Sequence, residues 1–358
     1  MQAPQALKRQ ERGRRQTAHS NEGTRVSLEA KTATETVRQT GGRWALWCAW
    51  VGAAFLPIQV WTVGSWLADG PHQITAGRQS GTTNWYAALI FEVFTLAVAV
   101  AMAIIVIRGC LRERKFFTFD VIWVIVGLTI CWGDTGVNVF GTPGMLFSSN
   151  FINLNGPLAH LPFGAQRAGL APDPLLFLLP LETFGLLGIM KGLRAFALWL
   201  RARWPRMSTA TLIVVLVVMS FAVDIALEFA LIHFGLWNYL SPPWMSFGAG
   251  GSGLRYAGLE LIAGPTFFLI PALLYIFRDD HAQTLVERGT SHLSRPRRIA
   301  FVTLALYGFV QLNTWVLGTA PDWIYLPVEQ KPWPTMPAYL TDAVCRAPGQ
   351  SPDSHCPP

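Results

Sequence analysis

Hydrophobic positions in this chain come in long blocks rather than in alternation. Seven apolar segments stand out, at about 44–67, 85–107, 119–140, 175–199, 209–235, 256–277 and 299–319. Each is long enough to cross a bilayer core as a helix, for which about 20 residues suffice. A helix satisfies its own backbone hydrogen bonds where no water can reach them. The pattern predicts an all-α integral membrane protein, a bundle of seven transmembrane helices.

The polar stretches divide the rest. Residues 1–43 are basic and poor in large apolar side chains, and read as a disordered cytoplasmic arm. A secretory signal would place its apolar core nearer the start. The membrane domain then spans 44–319. Within it, the connection 141–174 is rich in Gly, Asn and Pro yet keeps many apolar residues. Loops of that length are uncommon unless functional or disordered, so an ordered outer cap is expected there. Residues 320–358, with their many prolines, read as an irregular extracytoplasmic tail.

Charge sets the orientation. Lys and Arg number nine in the arm, four over 108–115, five over 191–206 and five over 278–298, which makes 23 on one side. The other side holds Arg78, Arg167, Arg255, Lys331 and Arg346. Cytoplasmic loops carry the excess of Lys and Arg, so the N-terminus is expected inside and the C-terminus outside, in the cell membrane. An even number of spans would scramble this order. The net charge of +7 therefore reads as orientation and not as a nucleic-acid footprint. With 51% hydrophobic and 14% charged residues, against about 25% charged in soluble domains, neither a disordered protein nor one ordinary soluble globule fits.

The five cysteines form no CxxC pair and no zinc spacing. Cys48, Cys110 and Cys131 read as small core residues; Cys345 and Cys356 are free to pair if the tail is outside. There is no HExxH, Asp-rich box, P-loop or GxSxG elbow, and the last span has no lysine for a retinal Schiff base. No metal and no cofactor are expected.

Ionisable residues inside spans are costly and usually functional. Here they are Glu92, Asp134, Glu182, Asp224, Glu228 and, at a helix entrance, Glu260. All six are expected in the outer half or near mid-membrane, whereas Lys191 lies in the inner half and can snorkel. Asp224 and Glu228 are four apart and face one way along a helix; Asp134 and Asn138 share that relation. Two neighbouring carboxyls in an apolar site titrate apart, which supplies an acid and a base together. The structural alternative is carboxyls hydrogen-bonded between helices as packing glue. Asn150, Asn153, Asn155, His160, Trp237, Asn238, Tyr239, Arg255 and Tyr256 surround this patch in the loops. His160 reads as a satisfied loop residue and Trp237 as part of the interfacial belt.

Two runs carry a family resemblance. "DTGVNVF…SSNFINLNGPLAHLPFG" (Asp134 to Gly164) and "DIALEFALIHFGLWNYLSPP…GLRYAGLELIAGP" (Asp224 to Pro265) resemble motifs of the AveC-type spirocyclase family. Its named member closes a spiroketal on a polyketide, with dehydration in some cases. The resemblance implies Asp134, Asn138, Asn150, Asn155, Asp224, Glu228, Tyr239 and Glu260 as site residues. The chain departs at Pro157 and Leu158, where the family often has an aromatic, and in the loop FGAGGSGLRY before Glu260.

The leading expectation is a cofactor-free membrane cyclase or dehydratase acting on a polyketide or other lipid-like molecule. Asp224, Glu228, Asp134 and Glu260 are the catalytic candidates. Asn138, Asn150, Asn153, Asn155, Glu182 and Tyr239 are the substrate-binding ones. A proton-coupled transporter and a non-enzymatic lipid-binding protein are the alternatives. Oligomeric state is left open by the sequence.

Overall fold

The computed structural model describes residues 42–134, 145–162, 172–239, 246–248, 255–258, 260–279, 281–319 and 337–345. The chain is mostly helical. Helix α1 covers Gly42–Asp69, α2 Thr83–Glu113, α3 Phe119–Gly127 and α4 Cys131–Asp134. Then α5 (Leu175–Pro180) runs through a π-helical turn (Leu181–Gly185) into α6 (Leu186–Arg203). Helix α7 is Thr209–His233, α8 Glu260–Ile276 and α9 Arg295–Leu312, the last continued by a π-helical segment (Asn313–Thr319). A short α10 (Ala338–Cys345) ends the described chain. Thr82, Thr118 and Ser208 start α2, α3 and α7 by accepting a backbone N–H three residues on, as N-cap side chains do.

Among the described residues, five helices are long and apolar enough to cross a membrane: Gly42–Asp69, Thr83–Glu113, Leu175–Arg203, Thr209–His233 and Arg295–Thr319. They lie on the first, second, fourth, fifth and seventh predicted spans. The other two predicted spans differ. The sixth begins as a strand, β7 (Arg255–Ala257), paired antiparallel with β6 (Ser246–Gly248), and becomes helical only at Glu260. The third breaks after α3, through a turn at Leu128–Ile130.

That break has a physical reason. At Gly127 a Cβ would lie 3.1 Å from the Thr183 Cα, so α3 passes very close to the π-helical turn at 181–185. The carbonyl of Thr129, beyond the end of α3, is met by Gln59 Nε2 of α1 at 3.2 Å and Gln311 Nε2 of α9 at 3.3 Å. Breaks at membrane depth are tolerated where side chains re-satisfy the freed backbone. The two glutamines are held in turn: Tyr307 donates to Gln59 Oε1, and the indoles of Trp132 and Trp315 donate to Gln311 Oε1.

Helices α1 and α9 meet backbone to backbone. A Cβ on Gly308 would overlap Cys48 O and Gly52 N, and one on Gly52 would overlap Leu304 O. Small residues permit such close crossings. Gly308→Val should therefore force α1 away and lower the thermal midpoint of the detergent-solubilised protein, by at least the ~1–3 kcal/mol that overpacking costs. An unchanged midpoint would show that the crossing adapts. At another end of the bundle, Lys191 does not snorkel freely. It pairs with Asp120, and Tyr275 donates to the same carboxylate at 3.0 Å.

Short strands tie the connections together. Strand β2 (Met145–Phe147) pairs antiparallel with β5 (Trp237–Tyr239), and β3 (Asn153–Asn155) lies between β1 (Gln73–Ile74) and β4 (Pro172–Asp173). The described part of the expected cap, 145–162 and 172–174, is thus tied into these strands and, over 145–162, largely buried.

Candidate active site

The exit from α7 decides what faces the interior. Gly235 takes a positive φ of 65° just past the helix end. Its N–H bonds Ile232 O, and the Leu236 N–H bonds Leu231 O. This is the glycine-ended Schellman turn. Asn84 of α2 pins the turn by donating to Phe234 O at 2.6 Å and Gly235 O at 2.9 Å. The chain then enters β5, where residues two apart share a face. Trp237 and Tyr239 both turn onto the wall of one cavity.

That cavity encloses about 790 Å³ of space not filled by atoms, its open mouth included. Its polar wall carries Glu182, Asp224, Glu228, Trp237, Tyr239, Thr314 and Thr319, with Leu, Ile, Phe and Met side chains around them. Each polar group has its own support. Asp224 and Glu228 sit one turn apart on α7, fully buried and 6% exposed. Tyr256 of β7 donates to Asp224 Oδ2 at 3.1 Å, and Tyr239 of β5 donates to Glu228 Oε1 at 2.9 Å. The two phenol rings lie 6.4 Å apart.

Glycine makes room for the acid. A Cβ on Gly264 of α8 would lie 2.6 and 2.7 Å from the two Asp224 carboxylate oxygens. Glu182 reaches the cavity from the π-helical turn after Pro180. Thr314 and Thr319 reach it from the second π-helical segment. Such extra-residue turns recur at functional sites.

The structure thus brings four of the expected site residues together: Glu182, Asp224, Glu228 and Tyr239. Asn138 lies outside the described residues, as do the side chains of Asp134 and Glu260. The three loop asparagines sit elsewhere. Asn150 accepts from Gln79 N and donates to Asn84 Oδ1; Asn153 donates to Ser148 O; Asn155 accepts from His72 N. None of the three is among the residues that line the cavity. Glu92 is also apart, accepting the Ile152 N–H at 2.7 Å.

Sequence reasoning missed or misplaced several members. Trp237, given to an interfacial belt, is 5% exposed and packed edge-on against Phe147 and Phe177. Tyr256 was only one of many loop residues near the patch. Gly264 and Thr314 carried no signal, since their roles depend on which helices cross.

Residues 170–320 match the family model described as spirocyclase AveC-like. The match bears out the resemblance noted from the sequence. It spans α5 to the second π-helical segment and takes in every cavity-lining residue except Met145. Of the two runs that carried the resemblance, the second, Asp224 to Pro265, falls inside the matched AveC-like stretch, and the first, Asp134 to Gly164, outside it. No curated protein and no solved structure matches the chain.

Proposed function

We propose that this protein is a membrane-embedded, cofactor-free cyclase/dehydratase of the spiroketal-forming type, acting on a polyketide or other lipid-like substrate. One observation carries the reading: two buried carboxyls one turn apart, Asp224 and Glu228, share a cavity and each accepts a phenol hydrogen bond. The family match supports the reaction class. The bundle is proposed to have seven spans, N-terminus inside and C-terminus outside. The large apolar side chains left exposed on the long helices, such as Trp47, Phe94 and Val218, support lipid contact.

The chemistry needs one acid and one base. A hydroxyl adds to a ketone to give a hemiketal. The protonated carboxyl of the pair delivers its proton to the hemiketal hydroxyl, the C–O bond breaks, and water leaves. The oxocarbenium ion is stabilised by the other, ionised carboxylate, because charge aimed at a developing charge is worth most in a water-poor site. That carboxylate takes the proton of the second hydroxyl as its oxygen closes on the same carbon. The net change is loss of one water. Glu182, on the same wall, adds a third carboxyl for a substrate hydroxyl. Asp134 and Glu260 keep their proposed part in the catalysis and Asn138 its proposed part in substrate binding; Asn150, Asn153 and Asn155, bonded away from the cavity, are not assigned to it.

The test compares lipid-soluble extracts of the host with and without the gene, by mass. Deletion should accumulate a hydroxylated precursor and remove a product lighter by one water. If the same molecules are found but redistributed between cells and medium, the protein is a transporter and the cyclase reading fails.

A further inference from the structure

Three polar atoms on the cavity wall have no hydrogen-bond partner among the described residues: Trp237 Nε1, Thr314 Oγ1 and Asp224 Oδ1. Their side chains are 5%, 1% and 0% exposed. Leaving such a buried group without a partner is costly. Each unsatisfied buried group calls for an explanation, and three on one wall point to a ligand. Asp224 Oδ1 belongs to the acid–base pair. Trp237 and Thr314 have no part in it.

The two are not free to turn away. The Trp237 ring is gripped by Phe147 and Phe177, each with centroids 6.0 Å off and nearly edge-on. The Thr314 methyl faces α4, where a Cβ on Gly133 would lie 2.7 Å from it. With its methyl packed there, the hydroxyl keeps a fixed direction. An indole N–H only donates, whereas a hydroxyl donates and accepts. The wall therefore asks for one oxygen in the acceptor role and a second oxygen in either role. Around them Leu181, Ile189, Leu227, Phe267 and Phe268 offer only apolar contact.

We infer that Trp237 and Thr314 form an oxygen-recognition pair, which grips ether or carbonyl oxygens of a largely apolar ligand beside Asp224 and Glu228. This rests on the cyclase reading for its chemistry, but it is a statement about binding and not about turnover. Trp237 and Thr314 select and position the ligand; the carboxyls transform it. A hydrocarbon of the same shape would leave both groups unpaired and bind less well.

The test uses the full chain, purified into lipid nanodiscs, and two probes of one shape: a six-six spiroketal and the all-carbon spirocycle. Dissociation constants are read by calorimetry. Wild type should prefer the spiroketal by about tenfold, the worth of ~1.4 kcal/mol of hydrogen bonding. Trp237→Phe, which keeps the ring contacts, should bring the ratio near one and leave the all-carbon probe unaffected. Thr314→Val, nearly isosteric, should reduce the ratio in part. Equal binding of the two probes by wild type, no binding of either, or an undiminished preference in Trp237→Phe overturns the proposal. Its failure is separable from failure of the cyclase reading. An inactive Asp224→Asn with no probe preference in wild type removes only the recognition pair. A fully active Asp224→Asn with the preference intact removes only the acid–base chemistry.

Discussion

Asp224→Asn should lower turnover about 100- to 10,000-fold, the usual worth of a positioned proton-transfer group, while the protein stays folded. The carboxamide still accepts the Tyr256 hydrogen bond now made to Oδ2. It also occupies the same space beside Gly264. What it loses is the exchangeable proton. Glu228→Gln should fall by a similar factor, again with its Tyr239 contact preserved in form. Because an acid and a base that act in one step work as a unit, the double variant should be little worse than the worse single one. The assay is conversion of the accumulated precursor by membranes carrying each variant. Full conversion by either single variant would remove that residue from the chemistry.

The second large effect is expected at a residue with no chemistry of its own. Gly264→Ala places a methyl where a Cβ would sit 2.6–2.9 Å from the Asp224 carboxylate. Backbone and carboxyl cannot both stay. Ala is normally the better helix residue by roughly 0.5–1 kcal/mol, and overpacking costs about 1–3 kcal/mol, so the net stability change is small to moderate. Activity should respond far more, because a displacement of about 1 Å of a catalytic group can cost on the order of 100-fold. The expected pattern is a folded protein with a thermal midpoint near that of wild type and a turnover as poor as Asp224→Asn. Wild-type turnover in Gly264→Ala would show that the carboxylate works from a displaced position, and the close approach would then be incidental.

Much of the fold is written in the hydropathy blocks, because a long apolar run has few stable forms other than a helix. Five blocks became long helices for that reason. The two that did not are instructive. Residues 119–140 look continuous to any hydropathy count, yet the helix breaks near Thr129 because Gln59 and Gln311, 70 and 182 residues away, supply donors to its carbonyl. Tyr256 and Ala257 open the apolar block 256–277, yet pair with β6.

The site was legible where it depends on spacing along one helix. Asp224 and Glu228 are four apart, and periodicity alone puts them on one face. It was illegible where one residue type serves two ends. Asn150, Asn153 and Asn155 have amides that suit a substrate oxygen or a backbone group equally, and the structure gives them backbone groups and Asn84. A tryptophan near the end of a span suits a membrane belt or a buried wall equally, and Trp237 is in the wall.

The two π-helical segments also have a genealogical reading. A π turn holds one residue more than the α turn it replaces, which is what a single-codon insertion in a helix would leave behind. Downstream of the insertion every side chain swings by about 100° around the axis. Selection tolerates that only where the swing is useful or the neighbours move to match. In the first segment the turn carries Glu182 onto the cavity wall. Aligned against relatives that lack the turn, this chain should show a one-residue gap within 181–185, and a second within 313–319. Deleting one residue there would restore an ordinary helix and rotate Glu182 away from Asp224, so the two gaps would sort the lineage into members that can share this cavity and members that cannot.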